Sequence, residues 1–183
     1  MINPSSSTIH VRAARKTDAA AITQINIAAW RAAYAGVMPT DFLTSMSYED
    51  KLNNWHHALT DPGHGRYRVC EFNQEVCGFA VYGPARDKDL AGDGRAGELV
   101  AINIKPDCWS QGLGKAMLRY VIDEAQATPW SSLYLWVIHS NTRARGLYES
   151  FGFEHEGKSQ YNDKLCNRPL QEVRYAKRLN NDL

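Results

Sequence analysis

Two glycines one residue apart, a phenol and a carboxylate carry most of the chemistry that this chain of 183 residues offers. Gly112 and Gly114 lie in Trp109-Ser110-Gln111-Gly112-Leu113-Gly114-Lys115, after the apolar run Ile102-Asn103-Ile104 and before a helical stripe of Met117, Leu118, Val121, Ile122 and Ala125. A strand, a tight turn and a helix start of this kind aim backbone N–H groups at one point, at the positive end of the helix dipole, and so bind a phosphate or pyrophosphate. A side chain at either glycine would stand between the backbone and the anion. Two familiar phosphate loops do not fit. Lys115 is followed by Ala116 rather than Ser or Thr, and position 117 is Met where a dinucleotide fold has its third glycine. An ordinary strand-to-helix turn is the plain alternative. Tyr148 shares a helical stripe with Ala144, Leu147 and Phe151, which by spacing makes it a core aromatic. Its phenol, with an unperturbed pKa of about 10, can also hand a proton to a leaving anion. Glu98 opens the strand that leads into the turn, as a solvated strand-end carboxylate or as a base.

Holding these groups in place takes alternating strands and helices. The spacing predicts a first strand over residues 9–15 and a helix capped by Thr17 or Asp18 that runs to about Tyr34, with Ile22, Ile25, Ala29 and Ala33 inward. Trp30 and Tyr34, one turn apart and offset from that stripe, suit the side of a cleft. Pro39 marks a break before a second helical region, about residues 41–59. Residues 67–72 and 76–82 form a hairpin, and 85–97 is a charged loop of the mobile kind. A strand over 98–105 enters the glycine turn, and the helix of 114–127 follows. The continuous apolar run 132–138 is a central strand, Asn141 caps a helix over 142–151, and Gly152 ends it. Two strands, about 153–161 and 172–179, close the chain. The order β-α-α-β-β-β-α-β-α-β-β implies an α/β fold, a mixed sheet with helices on both faces.

Bulk properties narrow the function. A length of 183 residues suits one domain, taken as 9–180, after a polar tail of residues 1–8 expected to be disordered. A net charge of +1 with no long basic run argues against a nucleic-acid surface. No window reaches the length of a membrane span, and the start lacks a signal-peptide pattern, so a cytoplasmic location is the default expectation. His56, His57 and His64 form no metal-ligand spacing with a Cys pair, and no C-x-x-C occurs, so no metal is expected. If Asn73-Gln74 is a two-residue turn, Cys70 and Cys77 face each other across the hairpin, as packed thiols rather than a disulfide in a reducing compartment.

Pro106-x-x-x-x-x-Gly112-Leu-Gly-Lys-Ala-Met-Leu, then Leu135-Trp-Val, then Asn141-x-x-Ala-x-x-Leu-Tyr-Glu-Ser-Phe-Gly-Phe, resembles the GNAT superfamily of acyl-CoA-dependent N-acetyltransferases over about residues 9–179. The stretch from Ala29 to Pro39 is similar to a large bacterial branch of it. The family turn usually begins with Gln or Arg, and Trp109 stands there instead; Gln111 or Lys115 is left to supply the polar contact. The resemblance implies a mostly antiparallel sheet of about seven strands with helices on both faces. It also implies transfer of an acetyl group from acetyl-CoA to a primary amine, of a small molecule or a peptide, by direct attack in a ternary complex. Ser110, Gln111, Gly112, Leu113, Gly114 and Lys115 would hold the pyrophosphate. The main chain of Ile102, Asn103 and Ile104 would pair with the pantetheine arm, which Asn141 would also touch. Tyr148 matches the acid that protonates the leaving thiolate, and Glu98 the base of the histone-acetylating branch. Other members place a base where Trp136 stands, leaving His139 in reserve. Trp30, Tyr34 and Trp109 would line the acceptor pocket. The competing reading is an acyl-CoA-binding regulatory module without turnover. The acceptor is not readable, and a monomer or a homodimer paired through the last strands both fit.

Overall fold

The computed structural model describes residues 8–179 except Asp93 and Lys164. Residues 1–7 of the expected tail lie outside the described residues; Thr8 is exposed and irregular. β1 (Ile9–Ala13) leads to α1 (Ala19–Ala33). Asp18 sits at the N-cap of α1, but its carboxylate serves other groups: it takes two bonds from the Arg12 guanidinium, at 2.7 and 3.0 Å, and one from the Arg15 N–H at 2.6 Å. The expected second helix is two helices, α2 (Thr40–Thr44) and α3 (Tyr48–Thr60). Ser47 causes the break, because its Oγ accepts the Asp50 N–H at 3.1 Å and starts a new helix as its cap. β2 (Arg66–Phe72), β3 (Glu75–Pro84), β4 (Ala96–Ile104), α4 (Leu113–Gln126), β5 (Ser132–Ile138), α5 (Thr142–Glu149), β6 (Glu154–Asn162) and β7 (Leu170–Arg178) complete the order.

The seven strands form one sheet, β1-β2-β3-β4-β5-β7-β6, antiparallel at every pair except β4–β5. The expected mixed, mostly antiparallel sheet is therefore what the chain builds. One face is covered by α4, whose Leu113, Met117, Leu118 and Val121 pack with Ala80, Leu99, Leu133 and Tyr175. The other face is covered by α1, α2 and α3: Ile22, Ile25 and Trp55 close over Val69 and Phe79, while Met38 and Leu43 close over Ile138 and Leu170. None of the described helices is long and apolar enough to cross a membrane.

Two local features differ from the sequence expectation. Cys70 pairs with Gly78, not Cys77, because a bulge after Cys70 shifts the register. All four cysteines are free and buried. The loop after β3 is tethered rather than loose. Arg86 grips Glu98, and Arg174 of β7, 2 % exposed, receives Asp87 and Asp89 from the loop together with Glu156 from β6. Some of the charge in this segment serves attachment to the sheet, although Arg86, Lys88 and Asp89 stay exposed.

Candidate active site

β4 and β5 share three rungs: Ala96–Ser132, Gly97–Leu133 and Glu98–Tyr134. Gly97 is required there, since a Cβ would come within 2.2 Å of the Trp130 ring. Beyond the rungs the strands part. β4 continues against β3 to Ile104, and β5 continues against β7 to Ile138. The wedge between them opens into a cavity of about 650 Å³, a size typical of small-molecule sites. Its floor includes Ile102, Asn103 and Ile104; Trp30 and Tyr34 stand on the α1 side, Asn141 and Tyr148 on the α5 side, and the glycine turn at one end. Parting leaves the β4 edge without a strand partner on the wedge side, and an amide-bearing chain can pair with such an edge.

The backbone conformation of the turn suits an anion. Ser110 and Gly112 have φ of 62° and 88°, in the left-handed region that favours glycine. Gly112 is the N-cap of α4 and offers no capping side chain, so the first N–H groups of the helix are left for a ligand. Leu113 can offer only its N–H, because its side chain is buried in the core. Gln111 is turned away: its Nε2 donates to the Asp107 carbonyl at 3.1 Å, and it does not line the cavity. Trp109 braces the turn, donating from Nε1 to the Ile104 carbonyl at 2.8 Å. The Arg143 guanidinium lies 4.2 Å from the Trp109 ring centroid and 3.5 Å from Ser110 Oγ. Arg143 was missed in the sequence. Its signal was a cation in the first turn of α5, where the helix dipole disfavours one.

Tyr148 is 7 % exposed, stacks edge-on against Phe153 with centroids 5.9 Å apart, and lines the cavity. Its hydroxyl has no hydrogen-bond partner among the described residues. Burial, with the nearby Tyr34 phenol adding to it, pushes the Tyr148 pKa well above the ordinary tyrosine value. Asn141 does two jobs. Its Oδ1 accepts the Ala144 N–H at 3.1 Å as the α5 cap, and its Nδ2 donates to the Tyr34 hydroxyl at 3.4 Å. Burial also raises the Tyr34 pKa. Tyr34 stacks against Trp30 with centroids 5.4 Å apart. Asn103 accepts from Asn26 Nδ2 at 3.2 Å, and Asn26 Oδ1 accepts from Lys51 Nζ at 2.9 Å.

Glu98 does not join this group. It sits at the vertex of the wedge, 4 % exposed, and does not line the cavity. Both carboxylate oxygens take Arg86 bonds, at 2.6 and 2.8 Å, and the Tyr134 hydroxyl adds one at 2.9 Å. A base at Glu98 would be a carboxylate that already accepts three hydrogen bonds.

Known proteins share this architecture. PaiA N-acetyltransferase from Thermoplasma acidophilum, in complex with coenzyme A, superposes with a TM-score of 0.71 at 17% identity, covering 93% of this chain and 99% of that one. YncA from Salmonella typhimurium, with its cofactor acetyl-CoA, gives 0.70 at 24%, covering 94% of each chain. In sequence, the uncharacterized N-acetyltransferase YuaI of Bacillus subtilis is 29% identical over 133 residues, 73% of each chain. The ribosomal protein bS18-alanine N-acetyltransferase of Escherichia coli is 46% identical over 55 residues, 30% of this chain and 37% of that one. The model of the acetyltransferase (GNAT) family matches residues 23–153. With the wedge, the glycine cradle and Tyr148 all inside or beside that span, this chain belongs to the GNAT family of acetyltransferases.

Proposed function

We propose that the chain moves an acetyl group from acetyl-CoA to a primary amine by direct attack in a ternary complex. The wedge carries this reading. An open strand edge that runs toward an uncapped helix N-terminus fits a ligand whose amide-rich arm ends in a pyrophosphate. Acetyl-CoA supplies the activated thioester carbonyl. The main chain of Ile102, Asn103 and Ile104 holds the arm, and the turn from Ser110 to Lys115 holds the pyrophosphate, with Gln111 contributing backbone rather than side chain. Asn141 fixes the N-terminal end of α5 and the Tyr34 ring against each other, which keeps the mouth of the wedge in register. As the new C–N bond forms and the C–S bond breaks, Tyr148 gives its proton to the departing sulfur and is reprotonated from water. A phenol that is buried, keeps its proton and has no competing partner is suited to that one task. The proton of the incoming ammonium leaves through water on the α1 side. Glu98 holds the vertex, tying β4 to β5 and to the loop after β3.

A module that binds acyl-CoA without turnover would need the wedge but not the phenol inside it. The test is CoA thiol release from acetyl-CoA over a panel of amines, covering amino acids, polyamines, aminoglycosides and peptide N-termini. Amine-dependent release with a matching acetylated product supports transfer. CoA binding by calorimetry with no release on any amine would leave the binding module standing.

A further inference from the structure

Two cations line the wedge cavity and no carboxylate does. They are Lys115, in the first turn of α4, and Arg143, in the first turn of α5. Arg143 is exposed, and among the described residues no carboxylate pairs with it. Its own helix face brings none: positions 139, 140, 146 and 147 are His, Ser, Gly and Leu. Yet the side chain is seated. Its guanidinium lies 4.2 Å from the Trp109 ring centroid, while the other cation–ring contacts among the described residues are 5.5 Å or longer. Trp109 is itself fixed by the 2.8 Å bond from Nε1 to the Ile104 carbonyl. Stacking uses the face of the guanidinium and leaves its edge of N–H donors for another partner. That edge meets Ser110 Oγ at 3.5 Å, long enough to be a weak bond.

The seat thus holds a fork of donors beside the first residue of the glycine turn. Two positive charges against no negative one favour an oxyanion there, and a planar fork matches phosphate oxygens two at a time. We propose that Arg143, with Trp109 as its platform, grips a phosphate of the cofactor and closes the anion site from the α5 side. This rests on acetyl-CoA as the donor in the reading above, and adds a side chain of α5 to a cradle built from the glycine turn. CoA offers such a fork two phosphate groups, its pyrophosphate and the 3′-phosphate of its ribose, and the test separates them.

The test is calorimetric titration of the intact protein with CoA and with 3′-dephospho-CoA, which lacks the ribose phosphate. It needs no amine and no turnover. Arg143→Gln removes the charge from an exposed side chain, so melting should hold. CoA affinity should fall about 10-fold at low salt, the size of a charge-assisted contact. The loss should shrink as salt rises from about 0.01 to about 0.15 M and the screening length falls from about 30 to about 8 Å. Arg143→Lys keeps the charge without the fork and should keep part of the affinity. An equal loss for both ligands places the guanidinium at the pyrophosphate, and a loss confined to CoA places it at the 3′-phosphate; either supports the grip. Pantetheine, which has no phosphate, should bind parent and variant alike when measured by displacement. Unchanged CoA affinity in Arg143→Gln, or a loss that pantetheine shares, overturns the proposal and leaves the cofactor reading standing. A parent protein that binds neither CoA nor 3′-dephospho-CoA overturns both.

Discussion

At the scale of single residues, one hydroxyl and one carboxyl group, those of Tyr148 and Glu98, are opposite cases. Tyr148 is raised in pKa by burial and has no protein partner among the described residues. Tyr148→Phe therefore removes no internal hydrogen bond. We expect melting and CoA affinity to change little and turnover to fall on the order of 10²-fold. Full activity in the variant would return Tyr148 to a packing role beside Phe153. Glu98 is the reverse case, rich in partners. Glu98→Gln leaves the Arg86 guanidinium without its anion and should cost about 1–3 kcal/mol of stability. The acid limb of the pH–rate profile should survive; a flattened limb would make Glu98 the base after all. The identity of both residues was legible in the sequence, but only Tyr148's surroundings were. Its cap, stripe and terminating glycine are local. The partners of Glu98, Arg86 and Tyr134, come from another loop and another strand, and nothing in the spacing of residues brings them together.

At the scale of elements, the glycine turn is the part that the sequence shows best, since φ of 88° at Gly112 and the stripe of α4 are both written in neighbouring residues. An added Cβ at Gly112 would meet only Ile9 Cδ1, at 3.8 Å. The fold can thus accommodate a side chain there, at the cost of a strained backbone of about 1 kcal/mol. Gly112→Asp should keep the sheet and melt within a few degrees of the parent, yet lose CoA affinity by at least about 10²-fold, because a carboxylate then occupies the anion's place. Unchanged affinity by calorimetry would remove the cradle. Other boundaries were hidden for physical reasons. The split between α2 and α3 depends on Ser47 capping rather than continuing a helix, and both choices suit its neighbours. The bulge at Cys70 moves a rung that a two-residue turn alone would have set otherwise.

At the scale of the whole molecule, Arg174 gathers what the chain scatters. Its guanidinium joins the loop after β3, through Asp87 and Asp89, to Glu156 of β6, and it lies near the Tyr134 and Trp136 rings. Lys158 adds a second cation at Asp89. Arg174→Met keeps most of the volume and takes the shared cation from three carboxylates, of which Asp89 keeps Lys158 and Asp87 keeps the Trp136 indole N–H. A loss of about 3–5 kcal/mol follows for a broken buried network, which in a domain of this size lowers Tm by about 10 °C. A shift under about 2 °C in a thermal melt would show that the loop holds without the cation. The sheet, meanwhile, is two blocks stitched together by three rungs. Most proteins keep an unsatisfied strand edge at the rim, where charge or a bulge can guard it. Here one such edge lies in the interior of the sheet, inside the wedge between β4 and β5. A foreign strand would have to thread that wedge end-on, so the missing eighth strand is a vacancy that admits a slender ligand and turns away the self-pairing to which exposed sheets are prone.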